Sequence, residues 1–375
     1  MKKLALVLGS LLVVGSVASA KEVMPAPMPA PEKVVEYVEK PVIVYRDREV
    51  TPAWRPNGSV EVELRNWGEV EGHKGKDTYW DGKDYWTQLR TTTKINFTEK
   101  QSLKIHTRNK YGLKRANNEL AEAERLELTH TYKFGNLGSS KIDTRLETKF
   151  RHSGSKKFVE VKPVFDFSEY FFKNDYVKAT ALELAPFYRY VWGAPVEASD
   201  RYTNIYGLYA NAEFDLPWGM TFQAEFDDGI FAYGRENRNS GNVGEDLTAK
   251  YGNVELTLTK EFQLYKSAKN DLRLHLEGVY ETSYSWSKKD VASVEGFGTV
   301  RANGKRERLG GYSAKFDPAI VYNFKATDYV TLFTRVGAEY KNRSKSADSG
   351  SSTNRHGAKH WRWQPYARVG FKATF

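Results

Sequence analysis

A chain of 375 residues without a single cysteine has neither disulfides nor thiolate metal sites to hold it together. Aromatics make up 14% of it, and no apolar run of about 18 residues follows the first twenty positions, which excludes a helical membrane protein beyond a leader. The formal net charge of +10 arises from 57 Lys and Arg interleaved with 47 Asp and Glu, so no concentrated basic patch marks the chain for nucleic acid, and none is expected as a partner.

The chain opens with Met1, Lys2 and Lys3, then an apolar run from Leu4 to Val17, then Ala18, Ser19 and Ala20. A short basic n-region, an apolar h-region and an A-x-A-like site predict a signal peptide over residues 1–20 and export of the remainder. Residues 21–56 are expected to form a periplasmic extension. Pro25, Pro27, Pro29 and Pro31 favour polyproline geometry at its start. A short helix over 32–40 and an extended piece around Pro41 follow, giving a solvated tether or a segment that reaches the pore or the cell wall.

From residue 57 the apolar residues fall on every second position in fourteen stretches: 58–70, 85–97, 102–111, 124–134, 141–150, 158–167, 176–192, 201–216, 220–227, 252–264, 272–286, 309–324, 330–341 and 361–375. Side chains on a strand alternate between faces, so each stretch presents one face to an apolar medium and one to water. The last stretch is the cleanest. Trp361, Trp363, Pro365, Ala367, Val369, Phe371, Ala373 and Phe375 share one parity. Its reach of roughly 40 Å, tilted by 40–45°, matches a hydrocarbon layer of about 30 Å. Trp363, Val369, Phe371 and Phe375 read as a C-terminal signal for outer-membrane assembly machinery.

The connections alternate in length. Those at 71–84, 112–123, 151–157, 193–200, 228–251, 287–304 and 342–360 average about 15 residues, and those at 98–101, 135–140, 168–175, 217–219, 265–271 and 325–328 about 5. Long loops on one side and short turns on the other are the outer-membrane pattern. The fold predicted is all-β: a transmembrane antiparallel up-and-down β-barrel of about 14 strands over residues 57–375, with short periplasmic turns and longer extracellular loops in contact with outer-membrane lipid. Four prolines, Pro163, Pro186, Pro318 and Pro365, lie inside predicted strands, where a closed barrel has no free edge for them. His130 falls on the lipid parity and suggests a bulge or a shifted register.

Charges of both signs occupy the inward parity. Glu61, Glu63 and Arg65 are followed by Arg90 and Lys94, Lys104 and Arg108, Arg125 and Glu127, and Arg145 and Glu147; Arg273, Glu277, Arg335 and Arg368 continue the set. Ionised groups at membrane depth face water or one another, and fourteen strands enclose more than side chains fill, so these residues are the candidate pore lining. Arg90, Lys94, Lys104 and Arg108 form a basic cluster, while Glu225, Asp227, Glu255, Glu261, Glu277 and Glu281 oppose it further round. Lysine and arginine pairs of this kind also satisfy carboxylates on neighbouring strands. Neither G-x-S-x-G, H-E-x-x-H nor a P-loop is present, and His356 and His360 sit in a loop. No catalytic residue, cofactor or metal is expected.

The leader at 1–20, "APEKVVEYVEKPVIVYRDREV" at 30–50, "AWRPNGSV" at 53–60, "NFTEKQ" at 96–101, "NLGSSK" at 136–141 and "WRWQP" at 361–365 together resemble the fusobacterial major outer-membrane porin (FomA) family. The resemblance runs along the chain and is weakest in the long loops. It implies a fourteen-stranded, voltage-sensitive, homotrimeric general diffusion porin for small hydrophilic solutes and ions, exposed on the cell surface and used in adhesion. It offers no catalytic residues. The alternative is a surface adhesin or receptor that uses the barrel only to carry its loops.

Overall fold

A computed structural model describes residues 33–37, 43–47, 54–72, 84–112, 124–154, 156–193, 202–233, 248–287, 291–294, 298–300, 307–342 and 361–375. Two compact units divide the chain, Met1–Trp54 and Arg55–Phe375. In the first, β1 (Lys33–Tyr37) and β2 (Ile43–Asp47) form an antiparallel hairpin with Lys33 opposite Asp47 and Tyr37 opposite Ile43. The helix expected over 32–40 is therefore a strand. Val34 and Val35, and Ile43 and Val44, are β-branched, and Pro41 in the connection cannot continue a helix.

The second unit is a closed barrel of fourteen antiparallel strands. These are β3 (Asn57–Trp67), β4 (Trp86–Asn96), β5 (Gln101–Gly112), β6 (Glu124–Asn136), β7 (Asp143–Ser153), β8 (Lys156–Asp166), β9 (Lys178–Trp192), β10 (Tyr202–Leu216), β11 (Met220–Tyr233), β12 (Thr248–Lys266), β13 (Asn270–Ser287), β16 (Glu307–Lys325), β17 (Val330–Asn342) and β18 (Trp361–Thr374). Between β13 and β16, β14 (Val291–Val294) and β15 (Gly298–Val300) pair as a small hairpin within the expected loop at 287–304. All fourteen predicted strands are present. The expected long loop at 151–157 is absent, because β7 and β8 stay paired up to Ser153 and Lys156. Gly154, at φ 58°, makes that tight turn, a backbone geometry that glycine adopts at no steric cost.

Closure joins the last strand to the first. Val369, Phe371 and Ala373 lie opposite Leu64, Val62 and Val60 on the outer face, and Arg368 lies opposite Arg65 on the inner one. The backbones of Gly58 and Phe375 exchange hydrogen bonds of 2.9 and 3.1 Å, which ties down the terminal residue. With no edge strand left, every ladder group in the wall has a partner strand on both sides, as an apolar medium demands.

The outer face is an apolar belt with aromatic margins. Leu184, Leu208, Leu258, Ile320, Leu332 and Val369 are exposed along its height. At the short-turn end Phe134, Phe171, Trp218, Tyr265 and Tyr329 are exposed. Toward the long-loop end Tyr190 packs against Trp192 and Tyr202 at 5.6 and 5.8 Å between ring centroids, and Tyr340 against Trp363 at 4.8 Å. Amphipathic rings at two levels flanking an aliphatic band are the girdles of a transmembrane barrel.

Each proline sits where its missing N–H does least harm. The β8–β9 ladder runs to Val161 opposite Tyr188 and resumes at Phe165 opposite Leu184, so Pro163 and Pro186 share one gap. Both keep their pairing on the other side, with Leu146 and Leu208. Pro318 lies in a lapse of the β16–β17 ladder between Phe316 and Ala319. Pro365 accepts a 2.9 Å bond from the amide of Gly68. The bond that a residue with an N–H would return to the Gly68 carbonyl is replaced by the Gln364 side-chain amide at 2.9 Å and the Tyr85 amide at 3.2 Å. His130 needs no bulge: it pairs in regular register with Leu103 and Thr148 and lies exposed on the outer face. The irregularity in its strand falls between Lys133 and Gly135 instead, leaving Phe134 as the extra residue.

The candidate functional site: a charge-divided lumen

The alternation that sends aliphatic residues outward turns the opposite parity into the barrel. Every pore-lining candidate lies on it: Glu61, Glu63 and Arg65 on β3, Arg90 and Lys94 on β4, Lys104 and Arg108 on β5, Arg125 and Glu127 on β6, Arg145 and Glu147 on β7, Arg273 and Glu277 on β13, Arg335 on β17 and Arg368 on β18. The structure divides them into three arcs of different character.

On β6–β9 the two signs alternate and neutralise each other. Arg151 meets Glu127 at 2.7 Å; Arg145 meets Glu147 at 2.9 Å and Glu183 at 2.8 Å. Lys162 adds a 3.0 Å contact to Glu147. Buried Glu160 receives Arg189 at 2.6 Å and Lys149 at 3.7 Å. Opposite charges placed across neighbouring strands stabilise a sheet by a few tenths to about 1 kcal/mol each. This arc is a lattice of such pairs.

A second arc, β17–β18–β3–β4–β5–β6, carries one arginine from each of six consecutive strands. Arg335, Arg368 and Arg65 lie directly opposite one another in one row. Arg90, Arg108 and Arg125 do so in a second. Glu63 stands opposite Arg90 and forms an ion pair with Arg65, linking the two rows. Asp317, fully buried, accepts from Arg335 at 2.9 Å and from the Tyr366 hydroxyl at 2.6 Å, with Arg368 at 4.0 Å. Tyr366 also packs under both guanidiniums, 4.5 Å from Arg368 and 5.7 Å from Arg335. Above it Trp67 and Trp86 stack at 3.7 Å, with the Lys110 ammonium 5.4 Å from the Trp86 ring.

The third arc mirrors the second. Glu183, Asn211, Glu225, Glu255 and Glu281 form one continuous row across β9–β13. Gln223 donates to Glu225 at 2.7 Å, and no ion pair to Glu255 or Glu281 occurs among the described residues. Glu277, four residues from Glu281 along β13, is paired with Lys315 at 2.7 Å. A cavity of about 440 Å³ opens between Gln223, Glu255, Glu277, Glu281 and Lys315. In the ring order, the middle of this arc lies half a turn from the middle of the arginine arc.

Asp317, Tyr366, Trp67 and Trp86 were not among the expected pore residues. Trp67 and Tyr366 share the parity of Arg65 and Arg368, and that parity was the available signal.

The class these features define is a closed transmembrane β-barrel with an ionised interior. No family model matches the sequence, and no curated protein matches it. Among solved structures, the chain is similar to the outer-membrane channel DcaP of Acinetobacter baumannii at 9% identity, with 86% of this chain and 96% of that one covered and a TM-score of 0.36. It is also similar to the NanC porin at 10% identity, covering 84% and 100% with a TM-score of 0.32. The anion-selective porin from Comamonas acidovorans matches at 9% identity over 86% and 99%, with a TM-score of 0.31.

Proposed function

We propose that this protein is an outer-membrane general diffusion porin: a passive, water-filled channel for small hydrophilic solutes and ions, delivered through the inner membrane by its signal peptide and assembled as a homotrimer. The observation that carries the reading is the like-charge rows of the lumen. Arg90 opposite Arg108 opposite Arg125, and Glu225 opposite Glu255 opposite Glu281, are placements that a wall built only for stability avoids. Ionised groups in such rows require hydration, so the interior they face is wet. Selectivity in a wet pore follows from the charges lining it. Planar-bilayer recording of the purified protein tests the reading. Open channels with conductance proportional to bulk salt are expected; a folded protein that never conducts would overturn the porin and leave a barrel that carries loops. A heat-modifiable band at three times the monomer mass checks the trimer.

A further inference from the structure

The long-loop rim of the outer face is not the same all the way round. Where β18 meets β3, carboxylates accompany the aromatic rings: Glu71 accepts from the Trp363 amide at 3.2 Å, and Glu69 from the Tyr85 hydroxyl at 2.5 Å. On β7–β10 cations take their place. His152 and Lys157 stand directly opposite each other, in a row that continues to Trp192 and Tyr202. That row has the outward parity of Phe150 and Val159, so its groups do not serve the lumen. Lys156 lies exposed at the same turn. None of the three has an ion pair or a side-chain hydrogen bond to a described residue. Glu124 meets the turn through its carbonyl, which accepts from the Gly154 amide at 3.3 Å. Residues 154–155 are the whole connection between β7 and β8, whereas those after β5 and β9 run over 113–123 and 193–201. This point of the rim therefore has no long loop of its own.

Basic groups placed together with no carboxylate between them are set to receive an anion from outside. Beside them lies a platform of rings. Tyr190 packs against Trp192 and Tyr202 at 5.6 and 5.8 Å, and Tyr188 against Tyr206 at 5.3 Å. All four tyrosines are exposed, and the Tyr188 hydroxyl donates to Asn204 at 2.7 Å. Aromatic rings at an interface suit any lipid, and a lysine ammonium suits any phosphate. The two side by side suit a headgroup that carries both a phosphate and a sugar, whose C–H face lies on a ring and whose hydroxyls meet phenol groups. Resting on the outer-membrane channel reading, we propose that the outer face of β7–β10 is a binding site for a phosphorylated glycolipid of the outer leaflet. Lys156, Lys157 and the His152 N–H hold the phosphate, and Tyr190 and Tyr202 carry the sugar. The acyl chains run down the wall past Val159 and Val161, which are exposed below the rings.

Native mass spectrometry of the full chain in detergent tests this with three probes: a phosphorylated disaccharide lipid (lipid A), its dephosphorylated form, and phosphatidylglycerol. Planar-bilayer conductance of the same preparation measures an intact channel. Lipid A is expected to bind about tenfold more tightly than the dephosphorylated form. Lys156→Gln combined with Lys157→Gln is expected to remove most of that difference. Tyr190→Leu combined with Tyr202→Leu keeps the wall apolar and is expected to remove the advantage of lipid A over phosphatidylglycerol. Conductance should be unchanged in both double variants, since the residues replaced lie outside the lumen wall. Equal binding of the phosphorylated and dephosphorylated lipids would overturn the site and leave the channel standing. Phosphatidylglycerol binding as tightly as lipid A would overturn the glycolipid in favour of any anionic lipid. A preference that survives both double variants would overturn the assignment to β7–β10. Lipid A binding by a protein that never conducts would instead keep the site and sink the channel reading.

Discussion

Two parts of the lumenal wall use the same residue types to opposite ends. On β16–β18 and β3–β4, Asp317, Arg335, Tyr366 and Arg368 are locked by short hydrogen bonds and ring contacts, and the Trp67–Trp86 stack lies above them. On β11–β13, Glu255 and Glu281 border an open cavity of about 440 Å³ with Gln223 and Lys315. The packed wall spends its polar groups on one another and leaves little of them to solvent. The open wall leaves its carboxylates to water and to whatever passes. A charged residue in a barrel is thus scaffold or working surface according to whether it has fixed partners, not according to its type.

The largest expected effect separates the two walls directly. Asp317→Asn removes the only charge that Arg335 and Arg368 share through an ion pair among the described residues. Breaking a buried pair from one side costs about 3 kcal/mol. That loss should appear as an earlier midpoint in urea unfolding followed by tryptophan fluorescence. Glu255→Gln on the open wall is expected to change stability by less than about 0.5 kcal/mol. It should instead shift the reversal potential in a salt gradient toward anions. Equal destabilisation by the two substitutions would mean that both walls are held together in the same way.

Next in size is Tyr366→Phe. The ring and its packing under Arg368 remain, but Asp317 loses a 2.6 Å donor and the Arg335 guanidinium loses the 2.7 Å acceptor it has in the same hydroxyl. A cost of about 1–2 kcal/mol is expected from the same unfolding measurement, with channel conductance unchanged. A neutral result would mean that water replaces the hydroxyl and that the wall is less tightly packed than its geometry implies.

Strand parity was legible in the residues because lipid on one side and water on the other impose a period of two on every crossing. Glu124 begins β6 and Val330 begins β17 where the alternation says they should. Parity tells which face a residue takes, not which residues stand beside it, since that depends on register. Arg90 and Arg108 were recognisable as inward, but their placement in one row with Arg125 follows from ladder pairing across three strands. Asp317 was hidden for the same reason: its partners are 18 and 49 residues away. The false loop at 151–157 came from ending one alternating stretch at 150 and beginning the next at 158, where the ladder continues to Ser153 and Lys156.

The smallest effect concerns the seam where the packed wall closes on itself. Pro163 and Pro186 leave a gap in the β8–β9 ladder, whereas at Pro365 a side chain supplies the absent donor. Gln364 is buried, and its amide reaches the Gly68 carbonyl at 2.9 Å. Gln364→Leu removes that donor and should cost about 1 kcal/mol. The Tyr85 amide still reaches the same carbonyl, so the acceptor is weakened and not orphaned. Adding Pro365→Val returns a backbone N–H at the position that faces Gly68, and the double variant should regain most of the loss. Rescue of that kind is specific to a missing donor: if Gln364 mattered only through packing, the valine would restore nothing, and the closing seam would be held no differently from the gap between β8 and β9.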